Sequence, residues 1–178
     1  MPTWTLPKDA DVYLISVFSS QQIIAYNIIN GLKEYNAKAK YVVGGPAVTY
    51  NLPQAIQRIS NADLIYAGEG EHLTQNFDKH IESTIKVTRC PELYNWEQHE
   101  IARWDIGDYQ FYASHRGFAV ETSRGCCFNC VFCTGSLITG KQWRPRKPED
   151  VVNELTVLVK KYGAKKVYFT DDNATVNP

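Results

Sequence analysis

The sequence has no charge of either sign to spare. Its 19 basic and 19 acidic residues cancel, so no basic excess argues for a nucleic-acid partner. No apolar run approaches the length of a bilayer span. The opening stretch MPTWTLPKDADVYL lacks the charged-then-apolar pattern of a secretory signal. Internal repeats and low-complexity tracts are missing as well. The expectation is a soluble, cytoplasmic protein with no membrane partner. Cysteine is scarce over most of the chain: 165 of the 178 residues carry one, Cys90. The other four crowd into thirteen residues, Ser123 to Gly135. An odd and clustered set makes a poor disulfide framework. In a reducing compartment, thiols placed this way hold a metal or do chemistry.

What remains is ordinary globular material, 44% hydrophobic and 21% charged. It is enough for one full domain or two small ones. Asp11–Phe18 (DVYLISVF), Lys40–Gly45 and Ala62–Glu71 read as buried parallel strands. Helices alternate with them. Ser19 and Gln22 fit a capping box, followed by an apolar face of Ile24, Ile28 and Leu32. A weaker helix spans Asn51–Ile59, and Leu73, Phe77 and Ile81 mark another. This alternation predicts an α/β fold with a Rossmann-like parallel sheet over residues 1–85. Residues 86–116 are rich in aromatics without a period and read as a connection whose tryptophans and tyrosines pack. A second unit, 117–178, opens with a strand at Gly117–Ser123 that runs into the cysteine loop. Its helix is predicted over Pro148–Tyr162, with a buried stripe of Val151, Val152, Leu155, Leu158, Val159 and Tyr162. Pro148, the acidic Glu149 and Asp150, the basic Lys160 and Lys161, and Gly163 mark its two ends. Lys165–Thr170 reads as a strand with Asp171, Asp172 and Asn173 just beyond its C-terminal end, where parallel α/β folds bind ligands.

The cysteines follow C-x-x-x-C-x-x-C: Cys126, Cys130 and Cys133. Three thiolates on one short loop suit a compact iron–sulfur cube and leave one of four irons open to another ligand. Cys127 is either a fourth ligand or a small, semi-buried side chain; neighbouring residues of an extended loop point in different directions, which favours the second. A structural zinc site would need a distant pair of ligands. Only Cys90 is distant, and His72, His80, His99 and His115 show no partner spacing, so packing or solvent exposure is expected for each. Arg144 and Arg146 suit a carboxylate or phosphate, but solvated residues ahead of a helix are the simpler expectation.

RGCCFNCVFC, Arg124 to Cys133, resembles the cluster loop of the radical S-adenosylmethionine (SAM) superfamily, with Phe132 in the aromatic place before the last cysteine. The resemblance implies that Cys126, Cys130 and Cys133 bind a 4Fe–4S cluster and that SAM chelates its open iron. It implies reductive cleavage of SAM to a 5′-deoxyadenosyl radical, used in methyl transfer, methylthiolation or related C–H functionalisation. An electron donor such as flavodoxin or ferredoxin is implied too. Asp171 or Asp172 stands where the family meets the amino group of SAM, and turn chemistry is the plain alternative. The fold implied for 117–178 is the first βα units of a partial β/α (TIM-like) barrel.

The first unit resembles the later part of the cobalamin-binding domain that often precedes the radical domain, with Gly44, Gly45 and Gly68 placed to let backbone approach a corrin tail. Tight turning after strands is the alternative. No D-x-H-x-x-G run exists; DKHIES at Asp78–Ser83 fails it in the last place. Only 45 residues follow Cys133. The expectation is a chain incomplete at both ends of the family architecture, weak in cluster binding by itself. The rivals are a non-catalytic zinc- or cluster-binding interaction module and a cobalamin carrier with a vestigial cluster loop.

Overall fold

The structure is a computed structural model and describes residues 9–90, 94–95, 101–107 and 109–176. The expectations for the opening residues 1–8 and for His99 lie outside them. The chain divides into two compact units, Met1–Tyr94 and Asn95–Pro178.

Four parallel strands build the first unit, side by side in chain order: β1 (Val12–Ser16), β2 (Lys40–Gly44), β3 (Leu64–Ala67) and β4 (Val87–Arg89). Successive strand residues point to opposite faces, and two cores result. Tyr41, Val43, Ile65 and Ala67 pack on one side with α1 (Gln22–Tyr35), α2 (Pro46–Tyr50) and α3 (Leu52–Arg58). Val42, Leu64 and Tyr66 pack on the other with Leu73 of α4 (Gly70–Gln75) and with Phe77 and Ile81 of α5 (Phe77–Glu82). Tyr41 is wholly buried. Its ring stacks on Tyr13, with centroids 5.0 Å apart, and its hydroxyl donates to the carbonyl of Leu32 at 2.7 Å. The polar tip of a buried tyrosine thus ties the sheet to α1.

Three expectations change here. A 3-10 turn over Ser19–Gln21 precedes α1, and no side chain caps it, so the Ser19–Gln22 box does not form. The buried face of α1 is Tyr26, Ile29 and Leu32, whereas Ile24 and Ile28 are exposed. The helix carries apolar residues around more of its circumference than one sheet can cover, so periodicity offers two stripes and packing chooses the one with the tyrosine. Within the expected connection, Val87–Arg89 pairs with β3 as a fourth strand, and the Cys90 amide donates to the Ala67 carbonyl at 2.7 Å.

In the second unit β5 (Phe118–Val120) pairs in parallel with β8 (Val167–Phe169). The unit also holds α6 (Tyr109–Phe111), a π-turn over Tyr112–Arg116 and α7 (Gly135–Ile138). The helix α8 spans Pro148–Tyr162 as its end signals predict. Gly163 takes the left-handed conformation beyond it, and the Ala164 amide closes on the Leu158 carbonyl at 2.9 Å. Phe118, Val120, Leu158 and Tyr162 form the core, joined by Trp104, Tyr109 and Ala113. Trp104 meets Phe118 edge-on and Tyr109 meets Tyr162 edge-on, each at 5.0 Å between ring centroids. Tyr94, Trp104 and Tyr109 of the expected connection therefore pack, Phe111 and Tyr112 are exposed, and Trp96 lies outside the described residues. The buried stripe of α8 departs from expectation: Val152 and Val159 are exposed, and Glu154 is buried in their place. The strand expected over Gly117–Ser123 breaks at Glu121 and Thr122. Ser123–Arg124 forms β6, antiparallel to β7 (Arg144–Pro145). No helix among the described residues is long and apolar enough to cross a membrane.

Candidate metal and cosubstrate site

The β6–β7 ribbon pairs Ser123 with Pro145 and Arg124 with Arg144. It closes the base of a loop that runs from Gly125 to Trp143 and contains all the clustered cysteines. At its start Gly125 has φ +87°, and a Cβ there would run into the Gln142 carbonyl oxygen. Only glycine lets the two arms approach this closely. The next amide, that of Cys126, donates to the Gly140 carbonyl at 3.3 Å. The Cys133 amide donates to the Cys130 carbonyl at 3.0 Å, forming a turn, and the Gly135 amide donates to Cys133 Sγ at 3.3 Å.

None of the five cysteines, all described, is in a disulfide. Cys126 is half-buried, while Cys127, Cys130 and Cys133 are exposed. Among the described residues no three His, Cys, Asp or Glu side chains are gathered closely enough to hold a metal ion. The donor set fits an iron–sulfur cube in kind and number, and its side chains are not converged. Such convergence is normally driven by ligation itself, because binding energy organises loops of this kind. Phe132 is 87% exposed.

The segment after β8 grips this loop with three consecutive residues. Asp171 accepts from the Thr122 amide at 3.1 Å and from the hydroxyls of Thr122 and Ser123 at 2.6 Å each. Burial pushes its carboxyl upward, but the hydrogen bonds from Ser123 and Thr122 outweigh burial and hold it below the usual aspartate range. Asp172 accepts from the Thr139 hydroxyl. The Asn173 carbonyl accepts from the Trp143 indole at 3.2 Å. A Cβ on Gly135 would lie 3.4 Å from Cys133 Sγ and 3.5 Å from Asp172 Oδ1, so thiol and carboxylate flank the same small gap. The two aspartates therefore face different partners: Asp171 the base of the loop, Asp172 the surroundings of Cys133.

Arg144 and Arg146 are buried rather than solvated. Arg144 donates to the Thr139 carbonyl at 2.8 Å. Arg146 pairs with Glu154 at 2.6 Å and donates to the Glu121 carbonyl at 2.9 Å. Neither is the solvated arginine expected ahead of α8, because the ribbon turns both inward. Glu121, in turn, accepts two hydrogen bonds from Arg124 at 3.0 Å. Thr122, Ser123, Thr139 and Glu154 escaped the sequence reading. Glu154 alone left a signal, a carboxylate one helical turn before Leu158 on the buried stripe.

In the first unit Gly44, Gly45 and Gly68 stand at strand ends, pressed against protein. A Cβ on Gly44 would lie 3.0 Å from the Tyr66 carbonyl oxygen, and one on Gly45 would lie 2.6 Å from Ser16 Oγ. One on Gly68 would run into Cys90 Cβ. Their smallness is already used by neighbouring strands. Burial first, then a hydrogen bond with Cys90, raises the Tyr66 hydroxyl above its usual range.

Residues 120–178 match the family described as the Radical SAM superfamily. The match covers 59 of the 178 residues. An uncharacterized methyltransferase of Pyrococcus horikoshii is 33% identical across 95% of this chain, which spans 41% of that relative. An uncharacterized methyltransferase of Synechocystis sp. is 30% identical across 92% of this chain, which spans 30% of it. Among solved structures, the cobalamin-dependent S-adenosylmethionine radical enzyme OxsB, with aqua-cobalamin and S-adenosylmethionine bound, matches at TM-score 0.71 and 22% identity, over 92% of this chain and 26% of that one. The likeness covers the described α/β architecture of both units. The second unit contains the residues that match that family. The chain spans less than half the length of the curated relatives it matches.

Proposed function

We propose that this chain serves a radical SAM enzyme in which Cys126, Cys130 and Cys133 hold a 4Fe–4S cluster, with methyl transfer, methylthiolation or related C–H functionalisation as the reaction class. The observation that carries the reading is the C-x-x-x-C-x-x-C loop inside the family-matched residues, fastened at its base by β6 and β7. When bound, such a cluster supplies the electron that cleaves SAM to a 5′-deoxyadenosyl radical. The remaining work belongs to the chain's own side chains. Cys133 accepts from the Gly135 amide through its sulfur, which fixes where that side chain sits. Asp172, exposed beside Cys133, offers its carboxylate to the ammonium group of SAM. Phe132, in the aromatic place before Cys133, offers an exposed apolar face beside the cosubstrate's place. An electron donor such as flavodoxin or ferredoxin is the partner this reading requires, in the reducing setting of a cytoplasm.

Anaerobic reconstitution with iron and sulfide tests it. The purified chain turns brown and takes up iron, up to about four irons per chain as one cube on three thiolates requires, with partial occupancy where the chain holds the cluster weakly. A colourless protein that takes up zinc instead establishes the rival, a non-catalytic interaction module.

A second reading concerns the first unit, as a cobalamin-binding-like domain. It is favoured by the match to OxsB, which extends across both units of this chain. Gly44, Gly45 and Gly68 are its candidate contacts, though each already faces a neighbouring strand. Titration with cobalamin, followed by its visible spectrum, decides it.

A further inference from the structure

We propose that Asp171 is a positioning residue that locks the base of the cysteine loop, and that it does not contact the cosubstrate. The proposal rests on the cluster reading above and divides the work between two adjacent aspartates.

Both oxygens of Asp171 are engaged. Oδ1 accepts from the Thr122 amide, the Thr122 hydroxyl and the Ser123 hydroxyl, and Oδ2 shares the Thr122 amide. Three donors take most of the carboxylate's roughly four acceptor sites, with Oδ1 the fuller, and turn it toward the base of the loop. Its partners are 48 and 49 residues away in sequence, so the contact joins β8 to the strand that leads into the loop. Ser123 is buried and stands three residues before Cys126. From the other side, the Arg146 amide donates to the Thr122 carbonyl at 2.9 Å, so Thr122 is held at both its backbone groups and its side chain. Immediately beyond lie the positive-φ Gly125 and the Cys126 amide bonded to Gly140. Residues Thr122 to Cys126 thus form one fastened run, held by two carboxylates, Asp171 on Thr122 and Ser123 and Glu121 on Arg124. Where Cys126 points is set by that run, not by the exposed remainder of the loop. Asp172 faces Cys133 and Thr139 instead.

The first arm of the test uses the metal-free protein. Each thiol is labelled with a maleimide and its rate read by mass spectrometry, in the parent and in Asp171→Ala, Asp171→Asn and Thr122→Val. In the parent, half-buried Cys126 labels more slowly than Cys130 and Cys133. In Asp171→Ala its rate rises about tenfold, the scale of losing a charge-assisted hydrogen bond. Asp171→Asn, which keeps one acceptor oxygen, and Thr122→Val, which loses one donor, fall between. Cys90, in the other unit, and hydrogen exchange of α8 stay at parent values, which separates loop release from unfolding. A Cys126 rate within about twofold of the parent in all three variants overturns the proposal.

The second arm is titration with cobalt(II) alone, followed by the thiolate-to-cobalt absorption band. Asp171→Ala weakens binding by about 10–100-fold, as loss of a partner behind the ligands does, and Asp171→Asn by less. Equal binding by parent and variants overturns the positioning role and leaves the cluster reading standing. A parent that shows no such band overturns the cluster reading, and the labelling rates still decide Asp171.

Discussion

The Arg146 guanidinium meets the Glu154 carboxylate at 2.6 Å, with both side chains all but sealed from water. Arg146 leaves β7 and Glu154 sits mid-way along α8, so the pair binds the cysteine loop's closing strand to the helix that covers the core. Arg146 also holds the Glu121 carbonyl, at the break between β5 and β6. Three elements meet on one guanidinium.

Breaking this pair is expected to be costly. Glu154→Ala leaves a buried guanidinium without its counter-charge and lowers stability by about 3–5 kcal/mol. The double variant Arg146→Met, Glu154→Leu removes both charges and recovers most of that loss. Denaturant unfolding of the three proteins checks the prediction, and a double variant as unstable as Glu154→Ala would contradict it.

Asp171 carries a pH dependence whose sign follows from its lowered carboxyl. A group held below its unfolded value of 3.8 contributes stability that is fully present above that pH. The contribution is lost as pH falls through the lower native value. At this half-exposed site it amounts to about 1 kcal/mol. Asp171→Asn is therefore less stable than the parent at neutral pH, and the gap closes below about pH 4. Urea unfolding from pH 7 downward measures it, and a gap that widens in acid refutes it.

Much of this was legible in the residues themselves. Helix α8 announces both ends, through Pro148 with two acids and through two lysines with Gly163, because end signals are local chemistry. The three core strands of the first unit are legible as short apolar runs. What escaped depends on contacts distant in sequence. Val87–Arg89 has too few residues to show a period, and its strand character comes from pairing with β3. Ile24 and Tyr26 compete for the buried side of α1, and only the sheet decides between them. The site divides in the same way. The thiol spacing is a local pattern. The different duties of Asp171 and Asp172 are set by Thr122, Ser123 and Thr139, which lie 33 to 49 residues away.

Gly125 and Gly163 both adopt positive φ, yet substitution at each should differ sharply. A Cβ at Gly163 meets nothing within 4 Å, so Gly163→Ala bears only the backbone cost of about 1–2 kcal/mol. At Gly125 the same cost is joined by collision with the Gln142 carbonyl. The ribbon must part to relieve it. Gly125→Ala is expected to raise hydrogen exchange across residues 123–126 and 140–145, while Gly163→Ala leaves that region unchanged.

Cys126 and Cys127 offer the sharpest contrast, being neighbours with different surroundings. The Cys126 amide is tied to Gly140, next to the fixed Gly125, so its side chain leaves a braced backbone. Cys127 is exposed, and nothing in the three-thiol spacing needs it. Serine is nearly the size of cysteine but is a poor ligand for an iron–sulfur cluster. Cys126→Ser, Cys130→Ser and Cys133→Ser are each expected to lose most of the iron and the brown absorbance after anaerobic reconstitution. Cys127→Ser and Cys90→Ser keep both. Should Cys127→Ser bleach the protein and Cys126→Ser leave it brown, the ligand set shifts by one residue. The spacing then becomes C-x-x-C-x-x-C, and the role given to the Gly125 brace falls with it.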